Sequence, residues 1–284
     1  MTVKILSSFK KWIKKSSIIS YAVRRFRLFR MGRRHPNLLS DGTLLKCDDE
    51  MRAEAFEPLE QAFFGEVIND AELFVNVGAN VGLYACKALR RGKRVICFEP
   101  DVFNYRLLVE NIELNSDGTK SIALNCGAGS HWSILKVFHA ATGSSFIEGW
   151  ANSSKRFFNF AQVFRLDDLY LHDFKRVFFL VDVEGFEAQV VDGAASIISS
   201  TLPQTWMIEI MTTDEHGLID KLPTDQIRLL DHFEKNGFQL FRLTESGPLP
   251  MGFALLRESI ANRSDAFGHN FVFRKNWLMD RPLF

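Results

Sequence analysis

The stretch Val75-Asn76-Val77-Gly78-Ala79-Asn80-Val81-Gly82 decides the fold of this 284-residue chain. The apolar run over residues 73–77 predicts a buried strand, and residues 81–91 predict a helix that ends at a glycine. Glycines in such a turn let a ligand approach the backbone, and the first helical turn offers free N–H groups to an anion. The turn is GxxxG and lacks the second glycine of GxGxxG, which makes room for a pyrophosphate. We therefore expect a ligand that carries a carboxylate and no pyrophosphate.

An acidic residue follows the next predicted strand. That strand covers residues 94–98, and Glu99 comes directly after it, 21 residues beyond Gly78. In folds of this kind an acid about 20 residues past the turn accepts hydrogen bonds from the two hydroxyls of a ribose. The turn and the acid together predict a nucleoside with an amino-acid tail, which is the description of S-adenosylmethionine.

Strands and helices alternate along the rest of the chain. Further helices are predicted over residues 54–68, 101–115, 187–198 and, capped by Thr224, 224–235; further strands are predicted over 121–126, 133–139, 177–183, 206–210, 238–243 and 270–274. This alternation is typical of an α/β fold, a mostly parallel sheet with helices on both faces. No linker divides it, so we expect one domain over residues 51–284 behind an N-terminal arm over residues 1–50.

The net charge of +1 hides an uneven distribution. Residues 1–40 hold 11 lysines and arginines and no acidic residue, whereas the remainder carries 24 basic and 34 acidic residues. Apolar residues at helical spacing predict that the arm is an amphipathic helix: Ile5, Leu6, Phe9, Trp12 and Ile13. Three interpretations stay open: contact with an anionic membrane surface through residues 1–34, docking on the acidic body or a free tail, and nucleic-acid binding. The acidic body disfavours nucleic acid as a partner.

The compartment is predicted from cysteines and hydropathy. The four cysteines form no CxxC pair, which favours a reducing interior. No apolar run approaches the roughly 18–20 residues of a membrane span. We expect a cytoplasmic protein, with a peripheral contact at the inner face of the membrane if the arm binds lipid. Nothing in the sequence indicates an oligomeric state.

Several segments resemble, in order, the FkbM-type S-adenosylmethionine-dependent methyltransferases. Besides the turn over 74–82 they are Phe-Glu-Pro (98–100), Asn-Ile-Glu-Leu-Asn (111–115), Asn-Cys-Gly-Ala-Gly (125–129), Gly-Ser-Ser (143–145), Arg-Leu-Asp-Asp-Leu (165–169), Val-Asp-Val-Glu-Gly-Phe-Glu (181–187) and Ile-Glu-Ile (208–210). The resemblance covers about residues 55–275. Many methyltransferases share the GxxxG turn, and its combination with DxEGxE is specific.

The resemblance implies a Rossmann-like class I methyltransferase fold, with a seven-stranded, mostly parallel sheet whose last strand is antiparallel. It implies O-methylation, often on a sugar of a polysaccharide, glycolipid or secondary metabolite, so the expected partner is a small-molecule or glycan acceptor. It places Gly78 and Asn80 at the methionine, Glu99 at the ribose and Asn104 near the adenine. The cofactor contacts that it implies are Asn76, Gly78, Ala79, Asn80, Gly82, Glu99, Pro100, Asn104, Cys126 and Ala128. The family usually has Asp at the position of Asn76, so we expect a weaker hold on the cofactor.

Acidic residues supply the candidate catalytic groups. Asp182 and Glu184 follow the predicted fourth strand at alternate positions, so we expect their side chains to point the same way. One would bind the cofactor or the acceptor hydroxyl, and the other would accept a proton. Alternatively, both share a divalent cation with Glu209, which polarises the hydroxyl. His216, after the fifth strand, is a further candidate base. His139 is expected at a strand surface.

An insert over residues 141–164 is rich in aromatic residues. It is either a cover that stacks on the acceptor or an aromatic mini-core. Three other functions compete with that of an O-methyltransferase. The first is an RNA or other nucleic-acid methyltransferase, but this sequence contains no Asn-Pro-Pro-aromatic motif. The second is a nicotinamide dehydrogenase, which the GxxxG turn disfavours. The third is a non-catalytic, membrane-associated protein on a methyltransferase fold.

Overall fold

An eight-stranded sheet forms the centre of the protein, with helices on both faces. The computed structural model describes residues 17–116, 120–150, 153–212, 222–264 and 266–277. In these residues the strands are β1 (Asn37–Leu38), β2 (Leu44–Leu45), β3 (Leu73–Val77), β4 (Arg94–Phe98), β5 (Ser121–Leu124), β6 (Gly127–Ala128), β7 (Ser133–Phe138), β8 (Phe158–Phe164), β9 (Val177–Val181), β10 (Gln204–Glu209), β11 (Gln239–Thr244), β12 (Gly247–Met251) and β13 (Asn270–Lys275). The helices are α1 (Ser17–Arg33), α2 (Asp49–Arg52), α3 (Pro58–Asp70), α4 (Leu83–Arg90), α5 (Val102–Asn115), α6 (Glu187–Asp192), α7 (Ala195–Ser199), α8 (Leu222–Lys235) and α9 (Phe253–Ala261).

The order of the large sheet places its ligand-binding edge. The strands run β12-β11-β13-β10-β9-β3-β4-β5, and β3 pairs in parallel with both β4 and β9. The chain leaves β3 toward β4 and β5 and returns on the other side as β9. At such a reversal a crevice opens outside the carboxyl ends of the strands. The α/β fold with a mostly parallel sheet, predicted from the alternation of elements, is confirmed.

The two central strands are buried along their whole length. Every residue of β3 and β9 is buried. Successive side chains point to opposite faces, so Phe74 and Phe178 pack on one layer of helices while Val75 and Phe179 pack on the other. Strands covered on both faces read as continuous apolar runs, and for this reason the sequence predicted them well.

Among the described residues the large sheet has eight strands, and the prediction of seven is wrong by one edge strand. The added strand, β12, forms a hairpin with β11 and contains Pro248 and Pro250. Proline has no N–H to donate, so prolines argue against a strand except at the edge of a sheet, where β12 lies. The antiparallel last strand is confirmed, since β13 runs antiparallel to β10 and β11.

Two helix predictions differ from the structure. The helix predicted over residues 187–198 is divided into α6 and α7 at Gly193. A Cβ atom on Gly193 would lie 1.9 Å from the carbonyl oxygen of Gly129, so a close approach of two backbones decides this break. Thr224 lies inside α8, which begins two residues earlier, and does not cap it. The strand predicted over residues 133–139 is confirmed as β7, which pairs antiparallel with β8 in a small sheet of order β6-β8-β7.

The described part of the arm packs against the domain. Leu28 and Met31 of α1 are buried in a cluster with Leu45 and Leu107. Tyr21 stacks on Phe157 with ring centroids 3.8 Å apart. The apolar stripe predicted over residues 5–13 lies outside the described residues, and the domain boundary at residue 50 stays a prediction. Within the described ranges, no helix has the length and apolar character that crossing a bilayer requires.

Candidate active site

A cleft opens at the carboxyl ends of β3, β4 and β9. The turns after these three strands form one side, and residues 142–146 of the insert form the other. The predicted site residues that line it are Gly78, Asn80, Glu99, Pro100, Asn104, Ala128, Asp182 and Glu184. The parallel strands therefore bring the predicted cofactor and catalytic groups to one place.

The remaining predicted residues lie outside this lining. Asn76 is buried in β3, and its Oδ1 has no hydrogen-bond partner among the described residues. Ala79, Gly82 and Cys126 are buried behind the cleft wall. His216 lies outside the described residues. The roles assigned to these residues at the cofactor or the acceptor stay predictions.

The glycines of the turn after β3 make room for the protein's own atoms. Gly78 has φ +83°, and a Cβ atom there would lie 1.7 Å from the carbonyl oxygen of Asp182. At Gly82, with φ +93°, a Cβ atom would lie 2.7 Å from Cδ1 of Leu108. The N–H groups of Gly78 and Ala79 both donate to the carbonyl of Phe98. These glycines therefore allow β3, β9 and α5 to approach each other, and their role toward a ligand stays a prediction.

Glu99 occupies the centre of the cleft wall. Its Oε2 accepts from the N–H of Asn80 at 2.7 Å, and its Oε1 accepts from the N–H of Asp101 at 2.8 Å. Burial, together with the charge of Asp101, raises the pKa of Glu99 to about 8. Each carboxylate oxygen has a second lone pair, so both can still accept a hydrogen bond from a ligand.

Unpaired acceptor atoms surround this carboxylate. Asn80 and Asn104 donate through Nδ2 to the carbonyls of Thr142 and Ala141, which fixes the orientation of both amides. The Oδ1 atoms of both asparagines, and Oδ1 of Asp182, are buried without a hydrogen-bond partner. Buried acceptors are nearly always satisfied, so the cleft suits a ligand rich in hydrogen-bond donors or positive charge.

The carboxylate end of the cleft is built on a tight turn after β9. The strand ends at Val181, and Glu184 has φ +56°, followed by Gly185 with φ +94°. Alternation along a strand therefore does not explain why Asp182 and Glu184 share the cleft. The backbone N–H groups of Val183 and Gly185 donate to Oε1 of Glu187, which holds the turn in this shape.

The insert supplies partners to Glu184 that its sequence position did not reveal. Trp150 is fully buried, and its Nε1 donates to Oε2 of Glu184 at 2.5 Å. Ser145 Oγ donates to the carbonyl of Glu184 at 2.7 Å. Gly185 fits beneath Trp150, since a Cβ atom there would lie 2.6 Å from the indole ring. The only sequence signal was the unusual density of aromatic residues in the insert.

Burial and mutual repulsion raise the pKa of the carboxyl groups at this end. Burial and the charge of Asp182 raise the pKa of Glu184 to about 8. Burial raises the pKa of Asp182 and, still further, that of Glu209. The charges of Asp182 and Glu184 add to the effect of burial on the pKa of Glu209. Some of these carboxyl groups therefore hold a proton at neutral pH. Such raised pKa values are common among groups that transfer protons in catalysis.

The structure offers no support for the divalent cation. Within the residues described, no group of three or more His, Cys, Asp or Glu side chains is arranged to hold a metal ion. The divalent cation suggested for Asp182, Glu184 and Glu209 therefore stays a prediction.

Buried contacts from His139 and Ser144 to Asp101 form a latch, which holds the insert against the side of the cleft that contains Glu99. Asp101, the N-cap of α5, accepts from Ser144 Oγ at 2.7 Å and pairs with Nδ1 of His139 at 2.8 Å. The prediction that His139 lies at a strand surface is wrong, since it is 7% exposed. His139 follows the last residue of β7, at a point where the chain is covered by Tyr21 of α1. The alternation of exposed and buried side chains along the strand therefore does not extend to it.

Comparisons with known proteins give a family match and several structural matches at low identity. A family model described as the methyltransferase FkbM domain matches residues 76–240. Among solved structures, the chain is similar to the methyltransferase FkbM from Methylobacillus flagellatus KT, with 17% identity and a TM-score of 0.45 over 72% of this chain and 44% of that chain. This chain thus spans less than half of the length of that protein. No curated protein matches the chain.

Two further solved structures resemble the chain at low identity. TYW2 from P. horikoshii, in complex with MeSAdo, has 17% identity and a TM-score of 0.41, over 83% of this chain and 68% of that chain. The precorrin-6y C5,15-methyltransferase from Geobacter metallireducens GS-15 has 12% identity and a TM-score of 0.39, over 77% of this chain and 89% of that chain.

Proposed function

Because the chain belongs to the FkbM methyltransferase family, we propose that it transfers a methyl group from S-adenosylmethionine to a sugar hydroxyl of a glycan, glycolipid or secondary metabolite. The observation that carries the proposal is one cleft with two chemical ends. Glu99 and unpaired amide oxygens lie at one end, and a protonated carboxyl cluster with Glu184 lies at the other.

The first end fits S-adenosylmethionine by its donor and acceptor pattern. A ribose offers two hydroxyl donors, which the free lone pairs of Glu99 accept. The ammonium and the sulfonium carry positive charge, which the unpaired Oδ1 atom of Asn80 complements. When bound, the cofactor supplies an activated methyl group.

The second end supports proton removal from a hydroxyl. Glu184 has a pKa of about 8, which is close to the working pH of an efficient general base. The indole of Trp150 and the hydroxyl of Ser145 orient it. Asp182 carries an unpaired oxygen beside it and positions the acceptor hydroxyl. Alignment of the hydroxyl in line with the methyl group supplies the rest of the acceleration.

A polar acceptor suits the lining. The cleft is walled by carboxyl, amide and hydroxyl groups, with Phe146 as its aromatic member from the insert. A sugar presents hydroxyl donors to the carboxylates and a ring face to the phenyl group. Trp150 is fully buried and does not contact an acceptor, so the insert acts both as an aromatic core and as a wall of the cleft.

Titration calorimetry tests the cofactor assignment. S-adenosylmethionine is titrated into the wild type, Glu99→Gln and the control Glu113→Gln, an exposed carboxylate on α5. We expect Glu99→Gln to bind at least about tenfold more weakly, because one oxygen becomes an NH2 group that can accept neither from a ribose hydroxyl nor from the backbone N–H that it faces. The control should match the wild type. No binding by the wild type, or equal binding by all three proteins, would overturn the assignment.

Transfer of labelled methyl groups tests the acceptor. The wild type and Glu184→Gln are assayed with a panel of glycans and glycolipids and with RNA. We expect transfer to a carbohydrate, a loss of about 10²–10⁴-fold in kcat for the variant and an unchanged affinity for S-adenosylmethionine. Transfer to RNA alone would replace the sugar by a nucleic acid as acceptor. Full activity of Glu184→Gln would remove this residue from the chemistry.

A further inference from the structure

Helix α1 carries a ridge of exposed apolar side chains on its outer side. Val23, Phe26 and Phe29 are 53%, 60% and 55% exposed. They are spaced three residues apart, so they lie along one side of the helix. Three large apolar groups in a continuous row are unusual on a soluble surface and mark an interaction site.

The orientation of the helix is set by contacts on its inner side. Leu28 and Met31 are buried in the core cluster beneath it, and Tyr21 stacks on Phe157. The guanidinium of Arg25 lies 3.2 Å from the centroid of the Phe103 ring. Helix α1 therefore packs on the domain through its inner side, and the ridge on the opposite side faces outward.

Arginine-lined grooves flank the ridge on both sides. One groove is lined by Arg27, Arg30 and Arg34, together with Asp48 and Asp49. The groove on the other side includes arginines 25, 33 and 106. Residues 17–33 contain five arginines and no acidic residue.

Arginines on the outer side of α1 have unused charge. Arg34 pairs with Asp49, and Arg106 pairs with Glu110. Arg27 and Arg30 form no ion pair with any carboxylate of the described residues. Their positive charge is therefore available to an anion outside the protein.

We propose that the outer side of α1 binds the surface of an anionic phospholipid bilayer. The ridge would enter the boundary between headgroups and acyl chains, and the arginines beside it would contact lipid phosphates, as in interfacial amphipathic helices. A nucleic acid is the weaker partner, because the rest of the chain is acidic and the ridge lacks the polar groups that read bases.

A membrane bound by α1 would lie near the cleft. Helix α1 packs against the short turn Ala141–Gly143. Thr142 of that turn lines the cleft and accepts from Asn80 Nδ2. If the proposed function holds, an acceptor carried on a membrane lipid would reach the cleft without leaving the surface. Lipid binding itself does not depend on that function.

Flotation of the full-length protein with vesicles tests the surface. The vesicles contain phosphatidylcholine alone or phosphatidylcholine with phosphatidylglycerol. Two double variants, Phe26→Ser/Phe29→Ser and Arg27→Gln/Arg30→Gln, are matched by controls of the same kind elsewhere on the surface. The apolar control is Ile134→Ser/Phe160→Ser, since both residues are more than 60% exposed on the small sheet, and the charge control is Lys235→Gln/Arg263→Gln.

We expect the wild type and both controls to float with the anionic vesicles only. Each α1 variant should bind at least about tenfold more weakly, because one loses two apolar groups that enter the bilayer and the other loses two charges that contact lipid phosphates. Unchanged circular dichroism and S-adenosylmethionine affinity would separate loss of lipid binding from loss of folding or of the cofactor site. Equal flotation of the α1 variants and the wild type, equal binding to neutral vesicles, or binding of RNA without vesicle binding would each overturn the proposal.

Discussion

The indole Nε1 of Trp150 donates a 2.5 Å hydrogen bond to Oε2 of Glu184, across 34 residues of sequence. This bond joins the insert to the turn after β9. It also favours the ionised form of Glu184 against the burial that raises its pKa to about 8. The indole thus helps to set the pH at which this carboxylate can accept a proton.

Removal of the indole donor should shift the pH dependence of catalysis. In Trp150→Phe, Glu184 loses a hydrogen bond to its charged form, so its pKa rises further and the ascending limb of kcat moves to higher pH. We expect a severalfold loss of kcat near neutral pH and little change in cofactor affinity. The control is Trp132→Phe, which removes an indole donor to Asp168 outside the cleft. An unshifted profile in Trp150→Phe would contradict the role of the bond.

Stability should fall as the pH rises through the neutral range. Burial raises the pKa of Glu99 and Glu184 from 4.5 to about 8, and that of Glu187 to about 7. Between pH 4.5 and about 8 the folded protein therefore binds more protons than the unfolded chain, and its free energy of unfolding decreases with pH. Each such carboxyl contributes a slope of up to about 1.4 kcal/mol per pH unit.

Urea unfolding at several pH values in this window measures that slope. Glu184→Gln should show a slope shallower by about one carboxyl, because the amide does not titrate. Carboxyls with lowered pKa, such as Asp41 and Asp101, are already ionised in this window and do not contribute. A free energy of unfolding that increases with pH would contradict the assignment.

Gly78 should tolerate no side chain. In Gly78→Ala the new Cβ atom would lie 1.7 Å from the carbonyl of Asp182, at a φ of +83° that side chains rarely adopt. Since the Cβ position is fixed by the backbone after β3 and the oxygen belongs to the backbone after β9, relief requires the two strands to separate, and we expect a loss of more than about 3 kcal/mol of stability. Thermal unfolding compares it with Gly65→Ala, where a Cβ atom meets nothing within 4 Å inside α3 and should stabilise by about 0.5–1 kcal/mol.

The buried latch at Asp101 should control the order of the insert. Asp101→Asn weakens the hydrogen bonds from His139 and Ser144, and we expect about 1.5–3 kcal/mol of destabilisation per charged bond lost. Hydrogen exchange over residues 138–145 should accelerate. The control Asp168→Asn weakens an ion pair with Arg165 at the surface, which contributes up to about 1 kcal/mol. Unchanged exchange over the insert would argue against a latch.

The sequence predicted those parts of the fold and site that depend on local pattern. The strand ends at Val77, Phe98 and Val181 lie close to their predicted positions, because buried parallel strands are short apolar runs. The residues after them, among them Glu99 and Asp182, therefore meet at one edge. The edge strand β12 and the break at Gly193 were missed, since prolines and a backbone approach from Gly129 override the local pattern.

By itself, then, the sequence determined the order of strands and helices and the carboxylates at the strand ends, because both follow from the period of apolar residues. Only the tertiary structure decided what those residues contact. In the folded protein the Asp182 carbonyl fills the space beside Gly78, Trp150 donates a hydrogen bond to Glu184, and α1 packs with its ridge facing outward. The physical reason is that these contacts join segments far apart in the chain, and no local pattern encodes which distant backbone or ring will fill a given space.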